Sequence, residues 1–403
     1  GSDFTTDLAA GTPIIHWRGS FPMGNSHIFC NGCPGGNDQR NNENFLVKGS
    51  IFVSSGKAGS HDIVVGYDRY NDVFIDNNWQ SPTNYRFDIF DDPYYGDDGV
   101  YYPAFGANGG RMIYFPILEI SAGTDFTVDS IYANDTWRLN KNWTFNIGLR
   151  YDKNDAQDGS GNTVGDDARI SPRLGVTWDV KGDGGWIVNA SFGQYVAMLD
   201  AGKGGSAGGG EASTLAWGYT GPNINVDENG DFVPMYNSTE AMQIVHDWFA
   251  SIGGLQNTDY LFAPSLAGYN LAVPPLSSPY TQEFSIGFLK RLGTKGMIRA
   301  DYVYRDSGDF YMSRTDESTG QVDVSVEIAP GTVIDETFDL AIYENDSDII
   351  QRTYSGLHTQ FQYRFSDRLM LGGNWTWSHL YGNFDGENTR NGISVGWMRD
   401  YPE

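Results

Sequence analysis

Apolar and polar positions alternate without a break along residues 142–151. Trp143, Phe145, Ile147, Leu149 and Tyr151 are interleaved with Asn142, Thr144, Asn146, Gly148 and Arg150. Successive side chains of a strand point to opposite faces, so this segment is a strand with one apolar face and one polar or small face. The same period recurs through hairpins near 45–68, 126–151, 170–197, 281–306 and 353–378, ten strands in all. Their tight turns centre on Gly56-Lys57, Asn140-Lys141, Gly182-Asp183, Thr294-Lys295 and Ser366-Asp367. The first hairpin is the least regular, with Leu46 and Phe52 on its otherwise polar face.

The links between hairpins are much longer than these turns, above all 69–125 and 198–280, and are rich in Gly, Asn, Asp and Tyr. Short turns at one rim and long loops at the other are the pattern of an outer-membrane β-barrel. A soluble sandwich or propeller also alternates, but three features favour the barrel. The polar face carries Asn, Ser, Thr, Gly and Gln with scattered Arg and Asp, suited to a hydrated lumen rather than bulk water. Trp137, Trp143, Trp178 and Trp186 flank the short turns, where an indole satisfies both membrane and water. The strands also have the roughly 9–11 residues needed to cross a bilayer at a tilt. Asp135 shares a face with Trp137; close to a turn, a charge on the lipid side is tolerated. The predicted fold class is therefore all-β, part of a large antiparallel transmembrane barrel. Ten strands alone would leave two raw backbone edges in lipid, so further strands are expected. Gly1-Ser2-Asp3-Phe4 carries no charged-then-apolar leader and Asp400-Tyr401-Pro402-Glu403 reads as loop; the expectation is an internal fragment of a longer polypeptide.

Composition narrows the partners. Among 403 residues, 51 are acidic and 26 basic, a formal charge of −25, so nucleic acid is not expected as a partner. No apolar run reaches the roughly 18 residues of a transmembrane helix.

Candidate chemistry in the loops is sparse. Asn237 and Glu240 have capping-box spacing, and Met242, Val245, Trp248, Phe249 and Ile252 share a helical face ahead of Gly253-Gly254. That stripe reads as packing surface. The glycine-rich run 202–210 lacks the Gly-Lys-Ser/Thr ending of a phosphate loop and reads as loop. Asp227-Glu228-Asn229-Gly230-Asp231 has calcium-like oxygen spacing but no later bidentate Glu, and reads as a turn. The only cysteines, Cys30 and Cys33, form half a zinc site, and His16 and His27 do not complete it; a local disulfide is the default in an oxidising exterior. No nucleophile elbow, metal-binding helix or readable carboxylate pair occurs, so neither a catalytic residue, a metal nor a cofactor is assigned.

Two hairpins and the start of a third carry a family resemblance. The run 131–139 (IYANDTWRL) followed by 143–152 (WTFNIGLRYD) resembles the strand–turn–strand signature of TonB-dependent receptors. So do 169–175 (RISPRLG) with 190–195 (ASFGQY), and 278–288 (SPYTQEFSIGF), the last particularly in the Oar-like group with a carboxypeptidase-regulatory-like N-terminal domain. The resemblance covers roughly 40–382 and implies a barrel of about 22 strands around an N-terminal plug that is absent from this chain. It further implies contact with the TonB complex through a segment also absent here, and an extracellular ligand bound by the outer loops and plug. It transfers no ligand-binding residue. The leading expectation is uptake of a scarce nutrient such as an iron chelate, glycan or peptide. The alternative is a surface interaction, adhesion or export-related barrel, and an enzyme carved into the loops comes third.

Overall fold

The computed structural model describes residues 7–17, 22–26, 28, 38–90, 94–96, 100–199, 208–345 and 350–383. Cys30 and Cys33, most of the run 202–210 and the segment 400–403 lie outside them. Ten antiparallel strands form one sheet, each paired to its sequence neighbour: β1 (Gln39–Ser54), β2 (Ser60–Ile75), β3 (Thr124–Arg138), β4 (Trp143–Gln157), β5 (Thr163–Asp179), β6 (Trp186–Val196), β7 (Tyr280–Leu292), β8 (Gly296–Gly308), β9 (Arg352–Ser366) and β10 (Leu369–Gly382). The sheet is open. Strands β1 and β10 form its two edges.

Register converts the alternation into two continuous faces. Phe145 lies opposite Trp137 and Val176; Leu149 lies opposite Ala133 and Pro172. Val188 lies opposite Trp178 and Phe288; Ile298 opposite Lys290 and Phe361. Large apolar side chains along this face stand open: Leu149 is 51% exposed, Ile170 58% and Phe361 51%. A soluble protein would have to cover a surface of this extent; hydrocarbon is its natural solvent.

The face is banded. At the short-turn rim Trp143 stacks on Trp178 at 5.3 Å and 7°, and Trp137 packs on Phe145 at 5.2 Å. Asp135 pairs with His61 (Oδ2 to Nδ1, 2.7 Å), whose ring stacks on Trp137, so the one acid anticipated on this face has a partner at the interface. At the other limit, Tyr67 and Tyr151 precede outward positions that are charged. There Arg69, Asp129 and Lys153 lie side by side across β2 to β4, Lys153 pairs diagonally with Asp166 of β5, and the Tyr67 hydroxyl donates to Asp129. From Trp143 to Tyr151 the band measures about 27 Å along the strand at ~3.4 Å per residue.

The strands run past that limit, from 11 residues in β6 to 17 in β5, whereas alternation marks only about ten. Above the bilayer both faces meet water, so the backbone ladder continues after the apolar period has stopped.

The long connections are not loose. Segments before β1, between β2 and β3, and between β6 and β7 share a five-stranded sheet ordered Leu215–Gly218, Gly110–Tyr114, Tyr85–Ile89, Ile14–His16, Pro22–Gly24. The helix Ser238–Ser251 has both halves of its capping box, and Gly253 leaves it at φ 105°. Met242, Val245, Trp248 and Phe249 pack with Ile14, Phe87, Met112, Leu215 and Trp217 in the largest buried core among the described residues. The β8–β9 connection adds a hairpin, Gln321–Ala329 with Thr332–Asp339, whose Val324, Ile328 and Ile334 join the same core. A second cluster of Phe126, Ala156, Val164, Leu199, Leu276 and Tyr311 seats this lobe on the strand ends.

Two measurements follow from these assignments. Leu149→Arg, at mid-band on the lipid face, is expected to destabilise the barrel by about 2–4 kcal/mol, while Asn146→Arg on the opposite face changes it by no more than about 0.5 kcal/mol; heat stability in detergent or vesicles distinguishes them. Met242→Ala should cost the lobe about 2–5 kcal/mol and be read as faster hydrogen exchange in Tyr85–Ile89 and Gly110–Tyr114, with barrel-strand protection unchanged.

Candidate functional site: the lumen face beneath the lobe

The even positions of β4 and their register partners line the opposite, polar face. Near the lobe they form a connected charge network. Arg150 donates to Asp152 (Nε to Oδ1, 2.7 Å) and to the Ser130 hydroxyl (2.7 Å); Ser130 in turn donates to Asp152 at 2.6 Å. Asp68 faces the same guanidinium at 3.7 Å. Asp152 and Ser130 are almost fully buried, so each acceptor needs these donors. Further along, Asn154 donates to Ser278, whose amide and hydroxyl both donate to Asp167 at 3.0 Å. Arg169 bridges Asp167 and Asp309.

Arginine–tyrosine pairs recur across this face. Arg150 lies over Tyr132 (5.7 Å), Arg173 over Tyr195 (5.3 Å), Arg305 over Tyr354 (5.5 Å), and Arg169 over Tyr280 (4.8 Å). A planar guanidinium over an aromatic face keeps its edge donors available while its flat side is covered. Arg305 also donates to Glu283 at 2.6 Å and Arg299 to Asp301 at 2.6 Å.

These residues wall two adjoining cavities. One, about 280 Å³, is lined by Asp68, Ser130, Arg150, Asp152, Arg173 and Tyr195. The other, about 750 Å³, is lined by Tyr195, Glu283, Arg305, Arg352 and Tyr354 among others; Tyr195 is common to both. The surface combines fixed cations, carboxylates and phenols, and can present both donors and acceptors to a polar segment or ligand.

The motifs singled out in the loops fall elsewhere. The helical stripe is lobe core. Asp227 closes a turn, accepting from the amides of Asn229 (2.8 Å) and Asp231 (2.9 Å); hydrogen bonds from these amides, Asp231 first, hold its carboxyl below the usual carboxylate range. His16 ends a lobe strand. Among the described residues no three His, Cys, Asp or Glu come together to hold a metal. In sequence, the arginine–tyrosine pairs were hidden because each joins different strands, and only register reveals them.

The sequence matches the family described as TonB dependent receptor-like, beta-barrel, over residues 35–239, and the outer membrane beta barrel domain over 153–402. Each match spans more than half of the chain. The protein belongs to the TonB-dependent receptor-like β-barrel family. It is thus an outer-membrane barrel of a Gram-negative bacterium. Solved structures similar to this receptor barrel include the outer membrane transporter YddB of Escherichia coli (14% identity, TM-score 0.46, covering 86% of this chain and 34% of that one). The siderophore receptor PirA of Acinetobacter baumannii is similar at 14% identity and TM-score 0.46, over 88% and 38% of the two chains. The ferric yersiniabactin uptake receptor FyuA of Yersinia pestis matches at 12% identity and TM-score 0.36, over 85% and 36%. The receptor barrel described here thus spans little more than a third of the length of these structures. No curated protein matches the sequence.

Within the lobe, His246 is mostly buried, shares a 3.0 Å hydrogen bond with the Thr12 hydroxyl and meets Tyr85 edge-on. Burial pushes its pKa below the ordinary value of 6.5. The folded pKa lies below the unfolded one, so the unfolded state binds the proton more readily and stability falls as pH drops below about 6.5. Protection of the Ile14–His16 and Tyr85–Ile89 amides, corrected for intrinsic exchange, should therefore decrease from pH 7 to pH 5 in the wild type. His246→Gln should flatten that dependence.

Proposed function

We propose that the chain is the barrel portion of a TonB-dependent receptor that imports a scarce nutrient, of the iron-chelate, glycan or peptide class. The observation that carries this reading is the polar lumen face, rich in arginine and tyrosine, beneath a folded outer lobe, in a chain of this family. A lumen meant only to be packed shut would be filled with apolar side chains. Here its wall offers charge-assisted donors and acceptors that a movable plug can engage and release. In this reading β1 and β10 pair with further strands to close a barrel of about 22, and the plug and TonB-contacting segment belong to the same polypeptide. The pattern at 278–288 supports membership of the Oar-like group.

Uptake is the test. Cells lacking the gene are expected to lose growth on one limiting nutrient from a panel of iron chelates, oligosaccharides and peptides, and loss of TonB should reproduce the defect. Normal growth on the whole panel, with altered cell-surface contacts, would instead support a surface-interaction barrel. The well-packed lobe, built from three outer connections and the segment before β1, is the observation that favours this second reading.

A further inference from the structure

Charge is sorted along the strand axis. Within the short turns and strand ends at 54–61, 136–145, 178–187, 289–298 and 363–370, nine Lys and Arg accompany three Asp, in a chain with 26 basic and 51 acidic residues. The short-turn rim is net positive, and the rest of the chain is strongly negative. The β7–β8 end is the most basic, with Lys290, Arg291 and Lys295 and no acid. The Arg291 amide donates to the Gly185 carbonyl at 2.8 Å, which ties this end to the neighbouring turn that bears Lys181.

Lys290 is on the lipid face, in register with Trp186 and Ile298. Its ammonium lies 4.7 Å from the centre of the Trp186 ring. Beside it Trp186, Val188, Ile286, Phe288, Ala300 and Tyr302 line an outward groove of about 610 Å³. Ala300 lies opposite Phe288; its short side chain leaves the depression between larger neighbours. An apolar trough that ends at an interfacial ammonium has the two-part chemistry of a phospholipid: hydrocarbon along the trough, phosphate at the cation. A headgroup that carries its own ammonium competes with Lys290 for that phosphate, whereas an anionic headgroup does not. Arg291 and Lys295 in the same hairpin end, and Arg364 and Arg368 against the single Asp367 in the turn at 363–370, add to the attraction within a Debye length. Lys181 in the turn at 178–187 is outweighed by Asp179 and Asp183.

We propose that the groove beside Lys290 is a binding site for an anionic glycerophospholipid of the periplasmic leaflet, with an acyl chain in the trough and its phosphate on the Lys290 ammonium. Short turns face the periplasm in barrels of this type, which places the groove's charged end in that leaflet.

The test is native mass spectrometry of the full-length protein in detergent, titrated with dioleoyl phosphatidylglycerol or dioleoyl phosphatidylethanolamine. The wild type should retain phosphatidylglycerol at the lower concentration. Lys290→Gln should raise the concentration needed about five-fold, the effect of one interfacial lysine, and leave phosphatidylethanolamine unchanged. Lys290→Arg should behave as wild type, and so should Lys57→Gln at the distant first turn. Equal retention of the two lipids by the wild type, an unaltered Lys290→Gln, or an equal loss in Lys57→Gln would overturn the assignment.

Discussion

Backbone hydrogen bonding in hydrocarbon is the constraint from which the rest of this structure follows. No water is available there, so every N–H and C=O must find a partner on a neighbouring strand. The continuous ladder from β1 to β10 meets that demand internally and leaves only the two edges. The ladder also fixes side-chain direction at a period of two, so a single sequence pattern solves two solvation problems together. Apolar positions meet lipid; the intervening positions are free to carry Arg, Asp, Ser and Tyr toward the lumen. Slipping any strand by one residue would exchange the two faces, which explains why the register is so uniform across the sheet.

Each boundary of the membrane is written in chemistry that the ladder carries but does not determine. Stacked indoles and the His61–Asp135 pair mark the periplasmic limit, and the Arg69–Asp129–Lys153–Asp166 group marks the outer one. Beyond that group the strands continue as a pedestal for the lobe. The lobe is cohesive because its central strands come from different connections and its buried charges are paired. Asp88, almost fully buried, is held by Arg86 and Arg111, each at 2.8 Å. Asn225, in the left-handed region at φ 53°, donates to the Pro103 and Tyr236 carbonyls and accepts from the Met235 and Tyr236 amides. Such contacts make the outer surface a shaped scaffold.

What could be read in advance divides along the same line. The ten strands, their faces and the interfacial tryptophans were legible because lipid imposes a strict local period. The capping box at Asn237 was also legible, being local. The lobe sheet was not, since short strands such as Ile14–His16 and Leu215–Gly218 acquire partners only from distant loops. The hairpin between β8 and β9 did have a local signal that was overlooked: Val322, Val324, Val326 and Ile328 alternate with polar residues ahead of Pro330-Gly331. The lumen network was illegible for a different reason. An Arg in one strand and a Tyr in the next carry no mark of facing one another, and a wet lumen tolerates many polar residues at any one position.

The most direct check on the two-faced barrel is a cysteine scan along 142–151 in the full-length protein, in native outer membranes. Each position is probed with a water-soluble thiol reagent and with a lipid-phase one. The odd positions, Trp143 to Tyr151, should label from lipid and the even ones from water, in unbroken alternation. Labelling from water on both faces would contradict a transmembrane strand and with it the whole account.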